Sequence, residues 1–342
     1  MTRRVTMADV AERAGVSKTA VSLVLNDRPG SRLSAEVADR VRAAAAELDY
    51  RPNPAARTLR NGTSQTVGFI SDEVTITRYA SAMIRGALDV AAQHEHTVLI
   101  AETGTNPERR DRAVQTMLNQ QPDGLVFGLM RARQIDVPET PRDLPIIILN
   151  GISSADHPCV LPAEFTAGSQ VAETLVDAGH EHIGLIGFPP AAADDPRVSA
   201  TIGDRLAGIR AVLAGAGLTM AVEATTLEWE PQYGHRAAHQ ILDDYPEVTA
   251  LLCMNDRLAL GAYQALQERG RRIPGDVSVV SFDDDEIAGY LRPKLTTARI
   301  PYERMGREAM TMLLERDGDR PHRRTVAMPL QHRESVRPPR AE

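Results

Sequence analysis

Histidines and carboxylates stand close together at three places where they could bind a metal ion or transfer protons. Two are the pairs His94-Glu-His96 and His180-Glu-His182, and the third is the acidic run Asp283-Asp-Asp-Glu286. Imidazoles spaced i, i+2 diverge on a helix, and both pairs fall at predicted helix-to-strand turns, so we expect a solvated surface there. The acidic run lacks the glycine and the spaced ligands of a calcium loop. These residues therefore predict no metal site.

Other arrangements that commonly carry catalysis are also missing from the sequence. Cys159 and Cys253 lie far apart without metal-ligand spacing, so we expect two buried thiols. No glycine-rich phosphate loop, G-x-S-x-G turn or C-x-x-C motif occurs. We therefore predict that the protein is not an enzyme and holds no cofactor.

Charge is distributed unevenly along the 342 residues, whose formal net charge is −7. Residues 1–62 contain eleven basic and seven acidic side chains, a net of +4, which leaves −11 for the rest of the chain. A basic head on an acidic body predicts a polyanion-binding module joined to a module that does not bind polyanions.

The head has the capping signals of three short helices. Thr6 can cap the first helix, which should end at Gly15, and Ser17 can cap the second after a tight turn. A third helix follows Ser34. This pattern predicts a helix-turn-helix with a supporting helix.

The second helix has an outward stripe that is small, polar and nearly free of acidic residues. Such a helix can enter the DNA major groove without electrostatic repulsion. The alternative is a solvated face of a small packing domain. The stripe comprises Lys18, Thr19, Ser22, Leu23 and Asn26.

A short helix is predicted between Asn53, as N-cap, and Gly62. It is too short to be stable alone, so we expect it to form only with a partner. Leu59 beside Arg57 could wedge between base steps in the minor groove. The alternative is a plain tether in which Leu59 packs on the body.

From residue 67 onward, short apolar runs alternate with helical segments, which predicts parallel strands covered on both faces. We expect an α/β body of two doubly wound subdomains, near 67–161 and 162–292, with the last strand and helix crossing back between them. Ligands bind such sheets at the carboxyl ends of the strands, so a cleft between the halves is the expected site. No apolar run reaches the length of a membrane span, and no signal peptide is evident, so we expect a cytoplasmic protein.

Five sequence blocks resemble the lactose/galactose repressor (LacI/GalR) family. They are VTMADVAERAGVSKTAVSLVLN, YRPNPAARTLR, DGLVFG, MNDRLALGAYQALQERGRRIPGDVSVVSFDD and LTTARIPYERMGREA, in family order. The resemblance implies a homodimeric transcription regulator, a repressor, that binds a near-palindromic double-stranded DNA operator. It further implies an all-α helix-turn-helix head at 1–52, a hinge helix and linker at 53–64, and a periplasmic-binding-protein-like effector and dimerisation domain at 65–342.

The resemblance also implies which residues contact DNA. Lys18, Thr19 and Ser22 match contact positions, Ala56 lies on the minor-groove face of the hinge helix, and Leu59 matches an intercalating leucine. The full predicted set is Thr6, Ser17, Lys18, Thr19, Ser22, Leu23, Asn26, Asn53, Ala56, Arg57 and Leu59.

In the body, Arg205 matches an effector-clamping arginine and Asp283 a hydroxyl-binding carboxylate. Sugar-like polyols need such bidentate groups and an aromatic face for their C–H surface. For Asp283 the alternative is a strand-end acid that caps a helix, and for Trp229 it is simple core packing. The predicted effector set is Tyr79, Asn150, Arg205, Trp229, Asn255 and Asp283.

Some positions depart from the family pattern. Leu23 replaces an arginine that often reads guanine, Ile300 replaces a residue that is often polar, and Glu164 stands for an aspartate. The effector's identity, and whether it releases or promotes DNA binding, stay open. The second functional hypothesis is a solute-binding protein of a sugar transport system, which would share the body but lack the head. Without a C-terminal leucine heptad, we expect a dimer and no coiled-coil tetramer.

Overall fold

The structure is a computed structural model that describes residues 5–25, 33–51, 62–75, 78–188, 190–315 and 322–340. The chain forms two compact units, Met1–Gln65 and Thr66–Glu342. Most of the predicted hinge helix lies outside the described residues, so that helix and its boundaries at 53 and 64 stay a prediction.

The first unit contains α1 (Met7–Ala14), α2 (Lys18–Leu25) and α3 (Ala35–Glu47). The predicted caps are confirmed. The Asp9 backbone amide donates to the Thr6 hydroxyl. In return, the Thr6 backbone amide donates to the Asp9 carboxylate at 2.8 Å. Gly15 ends α1 in the left-handed conformation at φ 67°, and Ser17 Oγ accepts from the Ala20 amide at 3.1 Å. The three helices enclose a small apolar core around Val10, Val21 and Val41.

The second unit consists of two lobes, each built on a six-stranded sheet. The first-lobe sheet has the order β11-β5-β4-β3-β1-β2 and the second-lobe sheet the order β12-β10-β9-β8-β6-β7. All strand pairs are parallel except β10 with β12. The strands are β1 Thr66–Ser71, β2 Thr97–Glu102, β3 Gly124–Ile135, β4 Ile146–Ser153, β5 Cys159–Pro162, β6 Ile183–Phe188, β7 Val222–Thr225, β8 Ala250–Cys253, β9 Ser278–Asp283, β10 Thr296–Arg299, β11 Arg323–Val326 and β12 Leu330–Gln331.

Helices cover both faces of each sheet, as expected for buried parallel strands. The chain crosses between the lobes after β5, after β10 and after β11, which confirms the predicted doubly wound halves and their return crossing. No helix in the described residues is long and apolar enough to cross a membrane. The helices are α4 Arg78–Gln93, α5 Pro107–Leu118, α6 Glu164–Asp177, α7 Pro190–Asp194, α8 Ile202–Gly215, α9 Pro231–Asp244, α10 Asp256–Glu268, α11 Glu286–Tyr290 and α12 Tyr302–Leu314.

Three helix pairs approach each other at reciprocal glycines. In each pair, a Cβ added to either glycine would collide with a backbone carbonyl of the facing helix. Only glycine allows such close backbone contact, so these positions set the spacing of the helices. The pairs are Gly86 and Gly306 in α4–α12, Gly168 and Gly208 in α6–α8, and Gly234 and Gly261 in α9–α10.

The two cysteines and His180 are all buried in the body. Both cysteines are buried free thiols, as predicted. The prediction of a solvated surface is wrong for His180, which is buried between the hydroxyls of Thr249 and Ser278 and the carbonyl of Arg337, each 2.9 Å away. These partners satisfy both ring nitrogens, and burial lowers the pKa of His180, so it is a neutral core residue.

We predict that Gly261→Ala lowers the free energy of unfolding of the body by roughly 1–3 kcal/mol, because its methyl group overpacks the contact with Pro231. The matched control is Gly215→Ala at the open end of α8, where a Cβ meets no atom within 4 Å. The control should change stability by less than about 0.5 kcal/mol. Urea unfolding followed by circular dichroism measures both variants, and equal losses would contradict the close-contact explanation.

Candidate DNA-binding and effector sites

The outward face of α2 presents the predicted polar stripe. Lys18 and Thr19, in its first turn, are exposed, while Ser22 and Leu23 are half-buried. The capping hydroxyl of exposed Ser17 directly precedes them. A groove-reading helix presents its N-terminal residues to base edges, and this face has that composition. Five predicted DNA contacts lie outside the described residues: Asn26, Asn53, Ala56, Arg57 and Leu59.

In the body, a buried ion pair joins α8 to α6. Arg205 Nε and Nη2 donate to the two carboxylate oxygens of Glu164 at 2.7 and 2.8 Å, and the two side chains are only 2% and 3% exposed. Arg205 Nη1 also donates to the Met254 carbonyl at 2.6 Å. The guanidinium carbon lies 4.1 Å from the ring centre of Phe282, on β9. Three of the five N–H groups are thus used inside the second lobe.

This pair gives Arg205 a structural role in addition to its predicted effector contact, which stays a prediction. The close crossing of α6 and α8 at Gly168 and Gly208 brings the Glu164 side chain into contact with Arg205. Sequence reasoning treated Glu164 only as a departure from the family pattern. No local signal could have shown the pairing, because the two residues are 41 positions apart.

Asp283 ends β9 with its backbone at φ 103°, in the left-handed region that costs a non-glycine residue energy. Its carboxylate is half-buried and forms no hydrogen bond within the described ranges. Burial raises the pKa of Asp283 to about 6, although Arg205 favours the charged form. Asp283 does not cap a helix; that role belongs to Asp285, whose Oδ1 accepts from the Ile287 amide at 3.0 Å. The carboxylate beside Arg205 is therefore available for a ligand.

A chain of hydrogen bonds joins the lobes next to Asp283. Tyr79, on the first-lobe helix α4, donates its hydroxyl proton to Asp285 Oδ2 at 2.7 Å. The Asp285 amide donates to Asp256 Oδ2 at 2.6 Å, and Asp256 also accepts from Thr297 and Ser281. Burial raises the pKa of fully buried Asp256 to about 8. The sequence contained Asp256 in the block MNDRLA, but its role as a buried acceptor was not predicted.

The other predicted effector residues are held by structural contacts. Trp229 is half-buried and donates Nε1 to the Gly187 carbonyl at 3.0 Å, while it packs against the second-lobe core. Asn255 Oδ1 caps α10 and its Nδ2 donates to the Trp229 carbonyl. Asn150, at φ 59°, donates Nδ2 to the Leu129 carbonyl at 2.8 Å. Trp229 and Arg205 both lie in the second lobe, 6.0 Å from ring centre to guanidinium carbon, whereas Asn150 bonds within the first lobe.

The acidic run that includes Asp283 is largely occupied by protein partners. Asp284 forms ion pairs with Arg299 at 2.6 Å and with Arg333 at 2.5 Å. In the first lobe, sequence reasoning missed buried Asp72, which accepts from the Met130 amide and pairs with Arg133 at 3.1 Å. Both carboxylates therefore hold neighbouring segments of their own lobe together.

Residues 6–53 match the family described as "Bacterial regulatory proteins, lacI family", and residues 172–336 match a periplasmic binding protein-like domain. The chain is 31% identical over 318 residues to the ribose operon repressor of Haemophilus influenzae, covering 91% of each protein. It is also 31% identical to the transcriptional repressor PurR of Vibrio cholerae over 327 residues, 94% of each.

Among solved structures, the chain resembles the lac repressor dimer bound to operator and the anti-inducer ONPF. The TM-score is 0.77 and the identity is 26%, with 98% of this chain and 100% of that chain covered. The matched region includes both the head and the body. The protein is therefore not an enzyme but a DNA-binding transcription regulator, and the chain belongs to the lacI family of bacterial regulatory proteins.

Proposed function

We propose that this regulator reads its operator with the exposed face of α2 and responds to a sugar-like effector held between Asp283 and Arg205. The single observation that supports the effector site most strongly is the Asp283 carboxylate, which is half-buried, backbone-strained and without a hydrogen bond in the part of the chain described. A polar group in such a position lowers the stability of the fold. The presence of a carboxylate here is therefore better explained by ligand binding than by a contribution to folding.

The chemistry of the two groups favours a polyol. The Asp283 carboxylate accepts hydroxyl protons, and Arg205 has two N–H groups beyond those given to Glu164 and Met254. The half-buried ring of Trp229 supplies an aromatic face nearby. The name of the ribose operon repressor supports the same class of ligand. Tyr79 and Asn255 are proposed to border this site, and Asn150 to approach it from the first lobe.

Effector and operator binding are coupled through the arrangement of the lobes. Tyr79 and Asp285 join the first and second lobes directly beside Asp283, so a ligand there changes the free energy of one lobe arrangement relative to another. Such coupling is reciprocal between the two ligands. We propose that the regulator acts in the cytoplasm, where an operator is accessible. The alternative of a transport solute-binding protein is wrong, because residues 6–53 match a regulator family.

For the DNA-binding face, we predict that Lys18→Ala weakens operator binding and lowers the slope of log affinity against log salt by about 1 if Lys18 contacts a phosphate. Lys294→Ala is the matched control, because Lys294 is exposed on the body and is the chain's only other lysine. Mobility shifts on an operator selected from random duplexes by the wild-type protein measure both. Unchanged base preference and salt slope in Lys18→Ala would remove Lys18 from the interface.

For the effector site, we predict that Asp283→Asn abolishes binding of the ligand identified by a thermal-shift screen of sugars, polyols and nucleobases. Because the folded-state pKa of Asp283 is raised to about 6, its ionisation costs wild-type stability as pH rises from about 4 to about 6. The stability of Asp283→Asn relative to the wild type should therefore be higher at about pH 8 than at about pH 4.

Asp284→Asn is the neighbouring control, since Asp284 also has positive φ but pairs with Arg299 and Arg333. It should lose stability. If Asp283→Asn binds the ligand as tightly as the wild type, the proposed effector site is misplaced.

For the buried pair, we predict that Arg205→Ala costs about 3–5 kcal/mol, because it leaves the Glu164 carboxylate buried without its partner. Replacing both partners, Arg205→Met with Glu164→Leu, should restore much of that loss while the ligand response stays absent. Arg210→Ala, which breaks the exposed pair with Glu223, should cost less than about 1 kcal/mol. Calorimetry measures all four proteins, and an Arg205→Ala variant of wild-type stability would contradict the pairing.

A further inference from the structure

We propose that His235, His239 and Glu268 form a binding site for a divalent transition-metal cation on the outer surface of the second lobe. The two histidines lie four residues apart on α9, and Glu268 is the last residue of α10. Residues at i and i+4 share one face of a helix, so both imidazoles point toward the same neighbour. This site is independent of the effector cleft and of the DNA-binding face.

The three side chains already converge on one point. The Nε2 atoms of His235 and His239 lie 2.8 and 3.0 Å from the same oxygen, Oε2 of Glu268. The available ligand atoms all lie within 4.8 Å of one another, and the imidazole rings meet edge to face at 4.6 Å. Within the described ranges, no other group of three metal-ligating side chains comes this close together. A cation near Oε2 could therefore bind all three after small side-chain adjustments.

The supporting backbone is rigid, which reduces the cost of assembling the ligands. Reciprocal contacts of Gly234 and Gly261 hold α9 against α10, directly next to His235. The site opens into a surface groove of about 850 Å³ that Gln232, Arg236 and Gln264 also line. A small cation and its remaining water ligands can enter this groove from solvent, and preorganised ligands favour binding.

The donor set defines the class of cation. Two imidazole nitrogens and one carboxylate oxygen suit zinc and the neighbouring first-row cations, whereas magnesium and calcium prefer oxygen ligands alone. Three protein ligands leave at least one position for water or another donor. The exposed location and the nearby guanidinium groups of Arg236 and Arg269 favour moderate affinity.

One contact in the structure competes with the cation. Arg269 donates Nε–H to His239 Nδ1 at 2.7 Å, so the neutral ring carries its proton on Nε2, toward Glu268. Metal binding through Nε2 requires the proton on Nδ1, and Arg269 must then move away. Arg269 also occupies both carboxylate oxygens of Asp243, one helical turn beyond His239. Removing Arg269 would free Asp243 as an acceptor for Nδ1–H, an arrangement that strengthens histidine ligands.

The experiment uses the full chain, without a polyhistidine tag and freed of metal, titrated with Zn²⁺ in a calorimeter. The wild type should bind one Zn²⁺ per chain with micromolar affinity, and the double variant His235→Gln/His239→Gln should lose at least about tenfold in affinity. The matched control His94→Gln/His182→Gln removes two other exposed histidines and should bind like the wild type. Zn²⁺ should raise the thermal midpoint of the wild type and of the control, but not that of the double variant.

All the substituted histidines have exposed or half-exposed side chains, and circular dichroism in EDTA checks that each variant folds. Equal binding by the wild type and His235→Gln/His239→Gln would overturn the proposal, as would half an equivalent of Zn²⁺ per chain or none at millimolar Zn²⁺.

The position of the proton on His239 gives a second, independent test. Arg269→Gln should bind Zn²⁺ about tenfold more tightly than the wild type. Arg210→Gln, which alters another ion-paired surface arginine, should leave the affinity unchanged. Weaker binding by Arg269→Gln would show that the cation does not bind through His239 Nε2, and would also overturn the assignment.

Discussion

Burying the Arg205 guanidinium is the constraint on which the second lobe depends. A charge removed from water needs a partner and satisfied donors, and the chain supplies the Glu164 carboxylate, the Met254 carbonyl and the ring of Phe282. These partners come from α6, the end of β8 and β9, so one side chain sets the relative positions of three elements. Asp283 directly follows Phe282, and its place beside the guanidinium results from the same contact.

Close backbone contact between helices makes this arrangement possible. The glycine pair Gly168 and Gly208 lets α6 and α8 approach until Arg205 and Glu164 meet, and the analogous pairs hold α4 to α12 and α9 to α10. These contacts fix the spacing within each helix pair, whereas the lobes meet at a separate junction beside Asp283. Tyr79 and Asp285 contact each other across that junction, next to the proposed effector groups.

The distribution of charge separates the two binding tasks of a lacI-family regulator. The basic head carries the almost acid-free helix face that we propose reads DNA, while the net negative charge of the body disfavours its contact with the phosphate backbone. Asp72, Asp256, Asp284 and Asp285 all have protein partners. Asp283 differs from them because its carboxylate forms no hydrogen bond within the described ranges, and for that reason we propose it as the group that binds a ligand.

Many features of this protein depend on local interactions and could therefore be predicted from the sequence alone. Thr6, Gly15 and Ser17 act on amides within three or four positions, so the head helices and their ends could be predicted, and the apolar runs predicted the two α/β lobes. The pairing of Arg205 with Glu164, 41 residues apart, and of Tyr79 with Asp285, 206 apart, could not be predicted. Such contacts depend on how helices cross and lobes meet. A single sequence encodes that geometry only through packing energies summed over many distant residues, whereas a helix cap depends on its immediate neighbours.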